Sequence, residues 1–161
     1  MIRAAGPGDA RAIAEIYNQG IEERNSTFET RLRKADEFLD AEPPFLVAEE
    51  DGAALGWARV VRHNPRECYR GVGEASIYVH RDARGRGLAR ALFEALVDEA
   101  ERLGYWKIVG GLFPENDASR ALCRTAGCRE VGVFQRHSRL DGEWRDVLYV
   151  ERLLNPGTAR L

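Results

Sequence analysis

The chain predicts an α/β domain in which a mixed, mostly antiparallel sheet of seven strands is flanked by about four helices, with residues 1–161 forming a single domain. Three observations carry that expectation. Apolar residues alternate between helical and strand spacing along the chain, Asp51-Gly52 and Asp141-Gly142 mark two hairpins, and a glycine-rich turn at Arg84-Gly-Arg-Gly87 joins a strand to a helix.

In order, Ile2 to Ala5 forms a short strand ended by Gly6-Pro7-Gly8, and Asp9 opens a helix. Its apolar face is Ala10, Ile13, Ala14, Tyr17 and Ile21, and it runs to about Glu23. Asn25 to Thr30 is rich in side chains that bond their own backbone, which predicts a loop. A second, short helix is expected over Lys34 to Ala41, stopped by Pro43-Pro44. Phe45 to Glu50 and Leu55 to Val61 make the first hairpin, and a polar connection from His63 to Tyr69 leads into the strand that carries Glu74. Leu88, Leu92, Leu96, Ala100 and Leu103 form the stripe of a third helix, which Gly104 ends. Trp106 to Gly110 is a strand, and a helix opened by Pro114 to Ser119 runs to about Ala126. Arg129 to Leu140 and Trp144 to Leu153 form the closing hairpin.

Composition narrows the function. Charged residues make up 31% of the chain and the formal net charge is −2, so no overall basic field recruits nucleic acid or membrane. Cys68, Cys123 and Cys128 are odd in number and contain no C-x-x-C pair, which fits a reducing compartment better than a disulfide framework or a metal site. With no signal-peptide pattern and no apolar run of about 18 residues, a cytoplasmic protein is expected.

The strand-to-helix turn is built for an anion. Amides at a helix N-terminus have no intrahelical partner, the helix dipole favours negative charge there, and glycine removes the Cβ that would hold a phosphate off. Arg84, Arg86 and Arg90 add three cations. The spelling is not that of a P-loop, which needs Gly-Lys-Ser/Thr, nor of a dinucleotide fingerprint, since Gly85-Arg-Gly87-Leu-Ala-Arg90 lacks the third glycine.

Arg84-x-x-Gly87-x-Ala89 instead resembles the pyrophosphate cradle of the GCN5-related N-acetyltransferases. Asn116-Asp-Ala-Ser119-Arg-Ala-Leu122-Cys123, about 30 residues on, resembles that family's second acetyl-CoA segment. Thr27-Phe28-Glu29-Thr30, Arg66-x-x-Tyr69, Glu74 and Asp141-Gly-Glu-Trp144 extend the resemblance over nearly the whole chain. They point to the phosphinothricin-type enzymes and, more closely, to the arsinothricin-resistance N-acetyltransferases.

This resemblance implies that acetyl-CoA lies against Ile77, Tyr78 and Val79. It implies a pyrophosphate on the segment Arg84, Gly85, Arg86, Gly87, Leu88, Ala89 and Arg90, and a pantetheine arm beside Asn116, Ser119 and Cys123. It implies Glu74 as the base, acting through a water, and a backbone N–H near Tyr78 or Val79 for the oxyanion. Phe28, Arg66, Tyr69 and Trp144 are the implied acceptor contacts, with Arg62 or Arg70 as substitutes for Arg66. No metal is expected, the acceptor is a small glutamate-like amine, and the assembly is a homodimer. The region between Thr30 and Phe45 is short for the phosphinothricin branch, which alters one pocket wall. Cys123 occupies a position where relatives often carry a tyrosine acid, and a thiol there serves either as a proton donor or as packing. Two other functions fit the same cradle: acetylation of peptide or protein N-termini, and non-catalytic acyl-CoA binding.

Overall fold

A computed structural model describes residues 1–40 and 42–155. Seven strands form one sheet: β1 (Ile2–Ala4), β2 (Phe45–Glu50), β3 (Ala53–Arg62), β4 (Val72–Val79), β5 (Lys107–Leu112), β6 (Arg129–Leu140) and β7 (Glu143–Leu153). Their order is β1-β2-β3-β4-β5-β7-β6, and β4–β5 is the one parallel pair among them. Three α-helices accompany the sheet: α1 (Ala10–Glu23), α2 (Leu88–Arg102) and α3 (Asp117–Thr125).

The expected helix over 34–41 is a single 3-10 turn at Ala35–Phe38, and Ala41 lies outside the described residues. Only Phe38 of that turn is buried, too little apolar surface to offset the cost of nucleating an α-helix. The Glu37 carboxylate accepts the Lys34 N–H at 2.8 Å and closes the turn on itself.

Both sheet faces are covered. One carries α2, whose Leu92, Leu96 and Ala100 are fully buried against Ala58, Val60 and Ile108. The other carries α1, whose Ile13 and Ile16 pack with Phe38, Phe45, Val47 and Trp57. Leu103 ends the α2 stripe and is exposed.

The feature that makes a site is the short contact between β4 and β5. Their pairing covers Val72↔Lys107, Gly73↔Ile108 and Glu74↔Val109, after which the strands separate. The register of β4 follows from two bonds that bracket its pairing with β3: His63 N–H donates to the Val72 carbonyl and His80 N–H to the Leu55 carbonyl. Antiparallel alternation then turns the backbone of Glu74, Ser76 and Tyr78 toward β3 and that of Ala75, Ile77 and Val79 toward the gap. Side chains alternate with the pleat. Tyr78 joins the α1-side cluster, while Ala75, Ile77 and Val79 pack on the α2 side.

Candidate active site

A cavity of about 550 Å³ occupies the opening between β4 and β5. Its walls include Glu74 to Tyr78 on β4, Gly110 to Phe113 on and beyond β5, Ser119, Leu122 and Cys123 on α3, and Val147 and Tyr149 on β7. Tyr17 and the loop residues Ser26 to Glu29 close it on the α1 side. A second cavity of about 360 Å³ continues past Ile77, Val79 and Ala83 to Arg84, Gly85, Gly87, Leu88, Ala89 and Arg90, sharing Ile77, Tyr78, Asn116 and Ser119 with the first. Together they form one groove from the glycine turn to Glu74.

At the turn, Gly85 and Gly87 have φ of +75° and +80°, and a Cβ on either would meet no atom within 4 Å. Their need for glycine is therefore the left-handed backbone and not crowding. Gly87 is the N-cap of α2, so the first amides of that helix face the groove. The three cations of the turn are each held by an acid: Arg84 by Glu23 at 2.9 Å, Arg86 by Glu50, and Arg90 by Glu94 at 2.8 Å. The backbone is thus the more available anion donor, with the arginines offset by their partners.

Ile77 and Val79 present backbone to the gap. This corrects the expectation for the amide of Tyr78, which faces β3. The Tyr78 ring is buried, which keeps its phenol neutral, and its hydroxyl donates to the Ser26 carbonyl at 3.3 Å. Asn116 caps α3: its Oδ1 accepts the Ser119 N–H at 3.0 Å and its Nδ2 donates to the Asn25 carbonyl at 2.9 Å. Cys123 and Cys128 meet at the end of α3. The hydrogen bond between the two thiols, with burial adding to it, pushes the Cys123 thiol well up. It is a protonated sulfur that is neither a nucleophile nor, with its proton held so tightly, an effective proton donor, and it serves as packing.

Glu74 stands where the two strands part, half exposed, with His63 Nδ1 at 3.3 Å from its Oε2. Tyr149 is close enough for the Glu74 charge, after burial, to raise its phenol. Phe28 lines the same cavity and packs edge-on against Phe113, with ring centroids 4.9 Å apart.

The other three acceptor candidates stand apart from this cavity in a single chain. Arg66 and Tyr69 lie on the β3–β4 connection, where the guanidinium sits 5.7 Å from the ring. Arg62 bonds the Asn64 carbonyl and Glu67, and Arg70 lies over Trp106. Trp144 is 50% exposed beneath the Arg139 guanidinium, 4.2 Å away. Strand alternation explains its position, because its neighbour Arg145 turns the other way and lies over Phe113 at 4.6 Å.

His137 and Ser138 also reach the cavity, and no spacing in the sequence marks them. A bulge between Phe134 and Ser138 shifts the β6 register, with Arg136 at φ 51° donating its N–H to Asp146 at 2.8 Å, and this re-aims His137 toward Tyr149. Among the described residues no group of three or more His, Cys, Asp or Glu is arranged to hold a metal ion. No helix among them is long and apolar enough to cross a membrane.

A splayed parallel strand pair, a free strand edge and a glycine turn at its far end make an α/β fold with one continuous groove. Residues 10–128 match the acetyltransferase (GNAT) family, and the chain belongs to it. It is 32% identical to a phosphinothricin N-acetyltransferase of Alcaligenes faecalis, covering 99% of this chain and 85% of that one. Against an L-methionine sulfoximine/L-methionine sulfone acetyltransferase of Salmonella typhimurium the identity is 31%, over 98% and 96%. Among solved structures, an acetyltransferase from Salmonella typhimurium with its cofactor acetyl-CoA superposes with a TM-score of 0.93 at 30% identity, covering 100% and 97%. A ribosomal-protein-alanine N-acetyltransferase from Brucella melitensis does so with 0.91 at 31% identity, covering 96% and 99%. The protein is a GNAT acetyltransferase, and enzymes of this family use acetyl-CoA.

Proposed function

We propose that the protein transfers acetyl from acetyl-CoA to the amino group of a small glutamate-like amino acid of the phosphinothricin, arsinothricin or methionine sulfoximine/sulfone type. The observation that carries this reading is the continuous groove that ends at Glu74, together with relatives whose names specify such acceptors. The residues present fit the cofactor. The left-handed glycines and the α2 amides suit a pyrophosphate, and the unpaired edge of β4 at Ile77 and Val79 suits an amide-bearing arm. When bound, acetyl-CoA supplies an acyl carbon already activated as a thioester.

The chain does the rest. An alkylamine with pKa of about 10 is mostly protonated at neutral pH, so a base must take its proton. Glu74, open to water and on the acceptor side of the sheet, does so directly or through a water. The Ile77 or Val79 N–H donates to the reacting carbonyl oxygen, and Cys123, its thiol held protonated, lines the cavity without serving as a nucleophile. The amine therefore attacks directly, with no acyl-enzyme. Three free cysteines favour a reducing, cytoplasmic setting.

Incubation with acetyl-CoA and a panel of amines, followed by free thiol, tests the reading. Methionine sulfone and phosphinothricin are expected to turn over at least tenfold faster than an alanine-initiated peptide. The reverse order would favour the second reading, a peptide N-terminus, to which the Brucella neighbour's name points.

We also propose a homodimer. Trp144 is joined by Val131, Val133 and Phe134 as exposed apolar side chains on the edge hairpin β6–β7, an arrangement that favours association. Light scattering is expected to give twice the chain mass, and Trp144→Ala to weaken the dimer and raise the acceptor KM about tenfold. A monomeric parent with unchanged kinetics in the variant would refute both parts.

A further inference from the structure

Resting on the reading of this site as an amino-acid acetylating one, we propose that Arg59 receives the α-carboxylate of the acceptor and selects amino acids over simple amines. Arg59 lies on β3 opposite Ser76, on the same sheet face as Glu74 and Tyr78. Its guanidinium lies to one side of an edge-on aromatic pair, 5.9 Å from the centroid of Phe45 and 5.8 Å from that of Trp57. Its Nε is buried with no hydrogen-bond partner among the described residues.

Tyr17, Tyr78 and the like-charged Arg33 lie near it, and among the described residues no carboxylate forms an ion pair with it. This sets it apart from the arginines around the groove. Arg84, Arg86, Arg90 and Arg145 each hold an acid, and Arg33 itself is shared between Glu29 and Glu37. A guanidinium taken out of water without a counter-charge is destabilised, and burial lowers its pKa without displacing its charge under ordinary conditions. An arriving anion relieves that imbalance.

The position fits one anion in particular. Arg59 itself stands just behind the cavity wall, and Ser76, opposite it, and Tyr17, beside it, line the cavity. Glu74 is the diagonal neighbour of Arg59 across the β3–β4 pair, a separation of roughly 7 Å between Cα atoms. An α-amino acid carries its amine and its carboxylate on one carbon. With the amine at Glu74, the carboxylate is directed to the fork of Arg59, whose planar donors match two carboxylate oxygens.

Calorimetric titration of the full chain with L-methionine sulfone and with its carboxamide tests this without turnover. The parent is expected to bind the amino acid about 100-fold more tightly than the carboxamide, because the carboxamide leaves the charge unpaired. Arg59→Gln is expected to erase that ratio, and Arg59→Lys to restore it in part, having charge but no fork. Equal affinity of the parent for the two compounds would overturn the proposal whether or not the glutamine variant folds, and so would an undiminished ratio in a folded Arg59→Gln. An Arg59-dependent ratio without acetyl transfer would defeat the functional reading alone. Transfer to amino acids with no dependence on Arg59 would defeat this inference alone, and no binding of either compound would count against both.

Discussion

Replacing Gly87 by aspartate is expected to abolish acetyl-CoA binding while leaving the domain folded. Two effects act together at this position. With φ at +80°, Gly87 occupies the left-handed region, where a side chain costs about 1–2 kcal/mol. More important is the carboxylate, which would stand at the N-cap of α2, where the free amides are the proposed donors to a phosphate. Aspartate is a favoured N-cap, so the helix tolerates it better than the ligand does. A loss of at least about 1000-fold in affinity, roughly 4 kcal/mol, is expected. Gly87→Asn shares the backbone cost without the charge and separates the two effects, since it should retain weak binding. Titration with acetyl-CoA, beside a circular dichroism spectrum matching the parent, is the measurement. A folded Gly87→Asp with parental affinity would place the phosphate site elsewhere.

The glycine turn was legible because its signals are local. A strand of β-branched and aromatic residues, two glycines and a helical stripe lie within one short segment, and the backbone there does what those residues favour. The hairpins at Asp51-Gly52 and Asp141-Gly142 were legible for the same reason, as both turns take the left-handed conformations that such residues tolerate. The short turn at Ala35–Phe38 looks like a helix in the sequence because capping and charge there resemble a helix start, while the burial that sustains a helix depends on neighbours distant in sequence.

The acceptor side was only partly legible, because it is assembled from strand registers. That Trp144 turns away from Phe113 while Arg145 lies over it depends on the pleat of β7. That His137 enters the cavity depends on a bulge in β6 whose residues carry no periodic mark. Arg59 was unremarkable in a strand of mixed residues. Its significance appears only when its directly opposite residues, Phe45 and Ser76, are known and neither is acidic.

Glu74→Gln is expected to lower turnover by about 100-fold or more at neutral pH with acetyl-CoA affinity unchanged. Glutamine keeps the size of the side chain and its contact with His63, and it removes the basic oxygen alone. Glu74 sits at the last position of β4 paired with β5, beyond which the edge of the strand opens, so its carboxylate can act at the mouth of the gap without lying on the proposed cofactor path. The pH profile distinguishes a base from a structural residue. As pH rises toward the amine's own pKa near 10, solvent takes the proton and the base becomes dispensable, so the deficit of Glu74→Gln should shrink steadily. His63 is the nearest alternative acceptor, and His63→Ala should leave the parental profile largely intact if its part is to position Glu74. A deficit in Glu74→Gln that is constant across pH would mean that the carboxylate organises the cavity without taking the proton. A flattened profile in His63→Ala with a normal one in Glu74→Gln would transfer the role to the imidazole.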